Sequence, residues 1–289
     1  MNSLLTSTVA GLSAGGAYAI LGVCAIITYR LVAVVNFTGA AIGTAGTFVM
    51  VALFEAGYPL ALDVLAGVLA GAGVALSIGL IVTTWFAGAS ATTKAAVTAA
   101  LLVGITAIGL RLTGGQHPHN FPDLIPGSAL RLAGVEITWA SLATLTLAIV
   151  CTLATEALLT RTRVGLQLRA LSQRPMAAEL IGIRVKLLAV GVWTVMGGVS
   201  AFALMIIAPL RSPDFLSLSL LVVPALAAAL VGAFVSFRAA LLGGLLIGIV
   251  EGLVSGLDSF SQYRGTIPFI VILVVLLWSQ RGARWDEAR

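Results

Sequence analysis

Few residues in this chain have the types and spacing that catalysis requires. The two histidines, His117 and His119, lie in a polar stretch away from any cysteine or carboxylate cluster, so we predict no metal site. The sequence also lacks the HExxH motif of zinc proteases and the GxxxxGK[ST] phosphate loop of nucleotide hydrolases. Glu251 is the one carboxylate at the centre of an apolar run, so paired acids within such runs are missing as well. We therefore expect a non-catalytic chain that binds no cofactor of its own.

A polar interruption near the start of the second apolar stretch could line a passage. In Val34–Gly46, VVNFTGAAIGTAG, the Asn and Thr side chains compete with the helix for backbone hydrogen bonds. Backbone that leaves the helix inside a membrane is stable only against protein or a watery cavity. The interruption therefore either borders a substrate passage or is an ordinary helix cap formed by Asn36 or Thr38. The candidate passage residues are Asn36, Phe37, Thr38 and Gly39.

Glu251 is the second candidate for a passage residue. It lies in GLLIGIVEGLVSG, where an ionisable group is costly and is expected to face the interior of a helix bundle. It could border the passage, or it could be a structural carboxylate that is hydrogen-bonded to a neighbouring helix. Both interpretations stay open on the sequence.

Composition determines what kind of structure must position these residues. Hydrophobic residues make up 60% of the 289 residues and charged residues only 9%, whereas a soluble domain carries about 25% charge. The apolar runs approach the roughly 20 residues that a helix needs to cross a bilayer, and they lack the alternation of a membrane β-barrel. We predict an all-α polytopic membrane protein that forms a single transmembrane domain over residues 1–289.

Nine apolar segments are predicted along the chain, so we expect about eight to nine transmembrane helices. Pro268 interrupts the last segment, and Phe237–Arg238 leaves little room for a turn before the eighth. One of the late segments could therefore be re-entrant. The segments are Leu4–Thr28, Leu31–Phe54, Val64–Phe86, Ala95–Leu112, Ile137–Thr160, Leu187–Ala208, Leu216–Phe237, Ala239–Leu257 and Tyr263–Gln280.

The segment Arg161–Lys186, called the basic segment below, predicts the orientation. It carries six basic residues and one acid, a net charge of +5, which equals the net charge of the whole chain. Positive loops stay in the cytoplasm, which places the N-terminus outside, the loop Thr113–Glu136 outside and the C-terminus in the cytoplasm. With this orientation, twelve basic residues lie on the cytoplasmic side and four lie outside. Only the basic segment was used to choose the orientation, so the positions of the other basic residues support it independently.

Within the basic segment, the sequence favours a short amphipathic helix. Pro175 suits the first turn of a helix, and the apolar residues Met176, Leu180 and Ile183 recur at helical spacing. Such an apolar face could fit a groove on a partner protein or lie on anionic lipid. We also expect Glu156, just before the segment, to pair with one of its arginines or to be solvated.

Four stretches of this chain resemble LivH-type permeases of ABC importers, and they occur in the family's order. The basic segment is similar to the family's cytoplasmic GR-x-x-RA-x-x-x-x-x-x-AA-x-x-GI pattern. The other three resemble its N-terminal GL-x-x-G-x-x-YAL run, its INFAHG element and its late G-x-x-x-G-x-x-E run. The matching residues are Arg169-Ala170, Ala177-Ala178 and Gly182-Ile183, with Gly11–Ile20, Val35–Gly39 and Gly243–Val254.

The resemblance implies a permease subunit in a bacterial plasma membrane. Such permeases pair with a second permease or with a copy of themselves, bind two cytoplasmic ATPase subunits that use ATP and Mg²⁺, and receive substrate from an extracytoplasmic binding protein. Substrates of the family are branched-chain amino acids and related small solutes. A secondary transporter or channel without ATPase partners is the alternative. The implied ATPase-coupling residues are Arg169, Arg174, Pro175, Met176, Ala178, Glu179, Leu180 and Gly182.

Overall fold

Helices make up most of the chain, as its long apolar runs predict. The computed structural model describes residues 2–32, 34–115, 119–132, 135–210, 214–257 and 259–286. The elements are α1 (Asn2–Val32), α2 (Gly39–Glu55), α3 (Leu60–Trp85), α4 (Ala91–Leu112), β1 (Ser128–Leu132), β2 (Val135–Thr138), α5 (Trp139–Arg161), α6 (Arg163–Gln173), α7 (Pro175–Leu180), α8 (Val185–Ile207), α9 (Phe215–Ser219), α10 (Val222–Val231), α11 (Phe237–Ser255) and α12 (Ile267–Asp286), with 3₁₀ turns at Ala208–Leu210 and Ser261–Thr266.

Seven helices within the described residues are long and apolar enough to cross a membrane. They are α1, α3, α4, α5, α8, α11 and α12 with the 3₁₀ turn before it. Two shorter apolar stretches, Gly39–Glu55 and Phe215–Val231, correspond to the second and seventh predicted segments. The prediction of an all-α polytopic membrane protein is confirmed.

The last two predicted segments both form helices that are long and apolar enough to cross a membrane. Pro268 is the second residue of α12, where the missing N–H has no helical partner to lose, so it does not interrupt the helix. The turn before α11 occupies residues 232–236 rather than Phe237–Arg238, with Ala233 and Phe234 at positive φ. The short segments are instead the second, which loses a turn to non-helical residues 34–38, and the seventh, which is divided into α9 and α10.

Helix α1 lies at the centre of the bundle and contacts α5, α8, α10 and α11. Its closest partner is α11, which runs antiparallel to it, because Gly11 lies against Gly248 while Gly15 lies against Gly244. A Cβ at Gly11 would fall 2.2 Å from the Gly248 carbonyl oxygen, so these two backbones touch without intervening side chains. The GxxxG spacings in α1 and α11 therefore serve packing.

The bundle has two chemically different ends. Helix α5 runs parallel to α1, since Ser13 contacts Ser141 and Gly16 contacts Thr144. The end of α1, the start of α11 and the helices α6 and α7 consequently lie together, and we call this the basic end. Arg30, Lys94 and Arg238 also belong to it, whereas Arg111 ends α4 at the opposite end.

The loop at the opposite end contains a small β-hairpin. Strands β1 and β2 pair antiparallel, with Leu132 opposite Val135. The Gly, Pro, Asn and Asp content of this loop predicts turns, and the hairpin was not expected from it. Gln116, His117 and Pro118 lie outside the described residues, so the expectation about His117 stays a prediction.

Candidate functional site

The chain between α1 and α2 is non-helical over residues 34–38, deep in the bundle. The Asn36 side-chain oxygen accepts hydrogen bonds from the Thr38 amide, at 2.9 Å, and from the Thr38 hydroxyl, at 2.7 Å. On the other side, the Thr98 hydroxyl of α4 donates to the Val35 carbonyl at 2.9 Å and accepts from the Phe37 amide at 3.4 Å. Side chains therefore satisfy backbone groups that the helix would otherwise pair.

A small enclosed cavity lies beside this break, where α1, α2, α8 and α10 meet. Its volume is about 20 Å³, close to the space of one water molecule. Asn36 and Gly39 line it, together with Cys24, Trp193 and Ser200 from the helices around it. The indole N–H of Trp193 is buried without a hydrogen-bond partner among the described residues. The break and the cavity thus bring polar groups together at the centre of an apolar bundle.

The remaining sequence-predicted passage residues occupy different positions. Thr38 is fully buried and Phe37 is partly buried, and neither lines the cavity. Glu251 lies on α11 against α1, where it accepts a 2.7 Å hydrogen bond from the Tyr18 hydroxyl. This contact is the one that the structural interpretation of Glu251 requires, and the assignment of Glu251 to a passage stays a prediction.

An aromatic cluster lies between this cavity and the opposite end of the bundle. Phe48 of α2 packs against Phe215 of α9, with ring centroids 5.2 Å apart, and edge-on against Phe121 and His119 at 5.5 and 5.4 Å. His119 also contacts Glu55 at 3.2 Å. The cluster joins α2, α9 and the loop between α4 and β1, and its members are too far apart in sequence for a motif to reveal it.

Asp63 is a buried carboxylate that sequence reasoning missed. It was expected to lie just ahead of the third apolar segment, but α3 begins at Leu60 and includes it. Asp63 has 0% exposure, and neither of its side-chain oxygens has a hydrogen-bond partner among the described residues. Glu251 is therefore not the only buried acid in the bundle.

The described residues contain no group of three His, Cys, Asp or Glu side chains that could hold a metal ion. With His117 outside the described residues, the histidine pair of the sequence is not fully placed.

The basic segment forms two helices, α6 and α7, which are separated by Arg174. Thr162 caps α6 through its side chain, and the backbone of Arg174, at φ −147° and ψ 85°, is non-helical, as is favoured for a residue before proline. Pro175 is the first residue of α7, and Gly182, at φ +85°, follows its end. The expected short helix is present, but it ends at Leu180.

Helix α7 presents apolar side chains to the outside of the molecule. Met176 is 81% exposed and Leu180 is 89% exposed, while Ala178 is buried against the bundle. Ile183, which was expected on the same helical face, lies beyond the end of α7, and Ile181 is exposed in its place. Apart from Ala178, the coupling residues of the basic segment, Arg169, Arg174 and Glu179 among them, are at the surface, and their role stays a prediction.

Glu156 does not pair with an arginine of the basic segment. Both of its carboxylate oxygens instead accept hydrogen bonds from Arg238, at 2.8–3.1 Å. Arg238 lies in the first turn of α11, next to the end of α5. It is 82 residues away from Glu156 in the sequence, so only the tertiary structure brings the two together. Glu156 therefore does not neutralise an arginine of the basic segment.

These features define a polytopic membrane protein of the permease type. The chain belongs to the family of permease components of branched-chain amino acid transport systems, whose family model matches residues 7–276. The resemblance to LivH-type permeases is thereby confirmed. A comparison with curated proteins found no match.

A solved structure shares the fold. PsaBC from Streptococcus pneumoniae, in complex with Fab, matches 96% of this chain and 91% of its own chain, with a TM-score of 0.50 and 14% sequence identity. At this identity the likeness concerns the fold alone.

Proposed function

We propose that this chain is the non-catalytic permease subunit of an ATP-driven importer, which carries branched-chain amino acids or a related small polar solute into the cytoplasm. The family match over residues 7–276 is the observation that carries this proposal. In it, the chain pairs with a second permease subunit, identical or related, in a bacterial plasma membrane. Two ATPase subunits bind the basic end, and an extracytoplasmic binding protein delivers the solute to the opposite end.

The proposed orientation follows from charge. Arg30, Lys94, Arg238 and the basic segment share one end of the bundle, which the positive-inside rule places in the cytoplasm. Helix α7 then faces the cytoplasm, where its exposed Met176 and Leu180 are available to an ATPase subunit.

The proposed passage runs beside the break at residues 34–38. The cavity there has room for about one water molecule, so a solute passes only if the surrounding helices separate. Phe48 lies nine residues after Gly39, about 13 Å further along α2, and its aromatic cluster closes the way to the opposite end. Both closures involve α2, which supports a mechanism in which movement of α2 opens the two sides alternately.

ATP-dependent uptake in proteoliposomes tests the proposal. The chain would be co-expressed with the ATPase and the binding protein encoded beside it, purified as a complex and assayed with labelled leucine, isoleucine and valine. We expect uptake only with binding protein outside and ATP on the ATPase side. Uptake that persists without ATP, in step with an ion gradient, would identify a secondary transporter instead.

A further inference from the structure

A second cavity, at the basic end, is not part of the proposed substrate passage, and of its lining residues only Arg169 is among the implied ATPase-coupling residues. It has a volume of about 630 Å³, opens between α5 and α11, and is also lined by residues at the end of α1. Four arginines line it: Arg30, Arg161, Arg169 and Arg238. Glu156 is the only acid in the lining, which leaves a net charge of +3.

The charges in this pocket are only partly used inside the protein. Arg238 is paired with Glu156, and Arg30 donates to the Val235 carbonyl at 3.0 Å. The side chains of Arg161 and Arg169 have no hydrogen bond or ion pair within the described part of the chain. Two guanidinium groups therefore face the pocket with donors available to an anion.

The pocket lies at the edge of the membrane-spanning region. Leu153 and Val235, 52% and 61% exposed, form part of its lining beside the arginines. Tyr29 packs on Phe234 at 4.9 Å next to it, and aromatic side chains of this kind collect at the headgroup level of a bilayer.

An exposed apolar track leads from the pocket towards the bilayer centre. On α5, Leu153 and Val150 are more than half exposed, and they precede Glu156 by about one and two helical turns, respectively. On α11, Leu242 is 65% exposed and lies one turn after Arg238, on the same helical face. Helices α5 and α11 thus offer a polar pocket at the basic end. Their exposed apolar side chains, Val150 and Leu153 on α5 and Leu242 on α11, border a groove that continues from this pocket towards the bilayer centre.

We propose that this pocket binds the headgroup phosphate of an anionic phospholipid, whose acyl chain lies along the groove between α5 and α11. Arg161 and Arg169 bind the phosphate, and the pair Arg238–Glu156 forms the wall between headgroup and chain. The arrangement combines positive charge with an apolar track, which a soluble anion or an acidic protein loop would use only in part.

Lipid retention by the purified full-length chain tests the proposal. The protein would be incubated in detergent with equal amounts of phosphatidylglycerol and phosphatidylethanolamine, and bound lipid measured by native mass spectrometry. The variant Arg161→Gln/Arg169→Gln removes the two unpaired pocket charges. Arg163→Gln/Arg184→Gln is the matched control, because it removes the same charge from the same segment outside the pocket.

We expect the wild type and the control to retain phosphatidylglycerol in preference, and the pocket variant to bind it on the order of tenfold more weakly. Phosphatidylglycerol, but not inorganic phosphate at the same concentration, should raise the thermal midpoint of the wild type. Far-UV circular dichroism and elution volume check that both variants fold. The measurement needs no partner, so its failure would leave the importer proposal untouched.

Three results would overturn the proposal. Equal losses in both double variants would show diffuse attraction rather than a site. Stabilisation by inorganic phosphate as strong as by the lipid would show a small-anion site. Absence of a preference for phosphatidylglycerol in the wild type would show that the pocket is not a lipid site.

Discussion

At Asn36, one side-chain oxygen accepts both polar hydrogens of Thr38 and so holds the break beside the central cavity. Asn36→Leu removes this acceptor and places an apolar side chain at the cavity. A buried donor left without its acceptor costs about 1–3 kcal/mol, so we expect uptake to fall on the order of tenfold in a complex that still assembles.

Thr98→Val is the matched control for this experiment. It removes the contact of α4 with the break but does not alter the lining of the cavity. We expect it to reduce thermal stability more than uptake. Normal uptake by assembled Asn36→Leu would leave Asn36 with the role of a helix cap.

Changes at the two buried carboxylates, Glu251 and Asp63, should have opposite effects on the thermal midpoint. Tyr18→Phe removes a 2.7 Å hydrogen bond to buried Glu251, and a typical intramolecular hydrogen bond contributes about 0.5–1.5 kcal/mol. We expect its thermal midpoint in detergent to fall. Asp63→Asn, in contrast, removes a buried carboxylate that has no partner in the described residues, so its midpoint should stay the same or rise. A marked drop for Asp63→Asn would mean that this carboxylate has an essential partner.

On the scale of elements, the contact between α1 and α11 depends on glycine. A Cβ at Gly248 would lie 2.4 Å from the Gly15 backbone, so Gly248→Ala forces the two helices apart. Overpacking of this kind costs about 1–3 kcal/mol, and we expect a lower midpoint of thermal unfolding. The control is Gly73→Ala on α3, where a Cβ meets nothing within 4 Å. Alanine there should be neutral or stabilising, because it favours the helix.

Helix α7 tests the coupling hypothesis, which rests on the proposed function. A buried apolar anchor contributes about 1.5–3 kcal/mol, whereas a surface ion pair contributes about 0–1. We therefore expect Leu180→Asp to lose the co-purified ATPase and transport-coupled ATP hydrolysis, and Glu179→Ala to retain most of both. Because Leu180 is 89% exposed, the substitution should leave the fold of the permease intact.

The control for α7 is Leu166→Asp, an exposed apolar position on α6 at the same end. If both aspartates remove the ATPase equally, α7 is not the specific anchor. If Leu180→Asp keeps both the ATPase and its coupling, α7 is a lipid-facing helix.

For the whole molecule, the orientation in the membrane is the decisive property. Single cysteines at Asn120 and Gln173, in a chain with Cys24 and Cys151 replaced by alanine, report on the opposite end and the basic end. Asn120 is exposed and lies in the loop between α4 and β1. We expect an impermeant thiol reagent to label position 120 in intact cells and position 173 only after permeabilisation. The reverse pattern would overturn the orientation and, with it, ATPase binding at the basic end.

The amino-acid sequence alone determined the fold class and the family. Hydrophobic content, run length and the distribution of basic residues are properties of consecutive residues, and a bilayer selects helices from them directly. The short helix after Pro175 and the break around Asn36 were also predictable, because proline geometry and Asn or Thr side chains act within a few residues.

Tertiary structure alone decided which polar groups meet. Glu156 pairs with Arg238 and not with an arginine of the basic segment, Tyr18 reaches Glu251 across 233 residues, and Asp63 is buried with no partner among the described residues. Helix–helix packing sets these contacts through the closeness of backbones, as where α1 meets α11, and local sequence does not encode which helices become neighbours. For the same reason, the arginine-lined pocket between α5 and α11 emerges only when the ends of α1, α5, α6 and α11 are brought together.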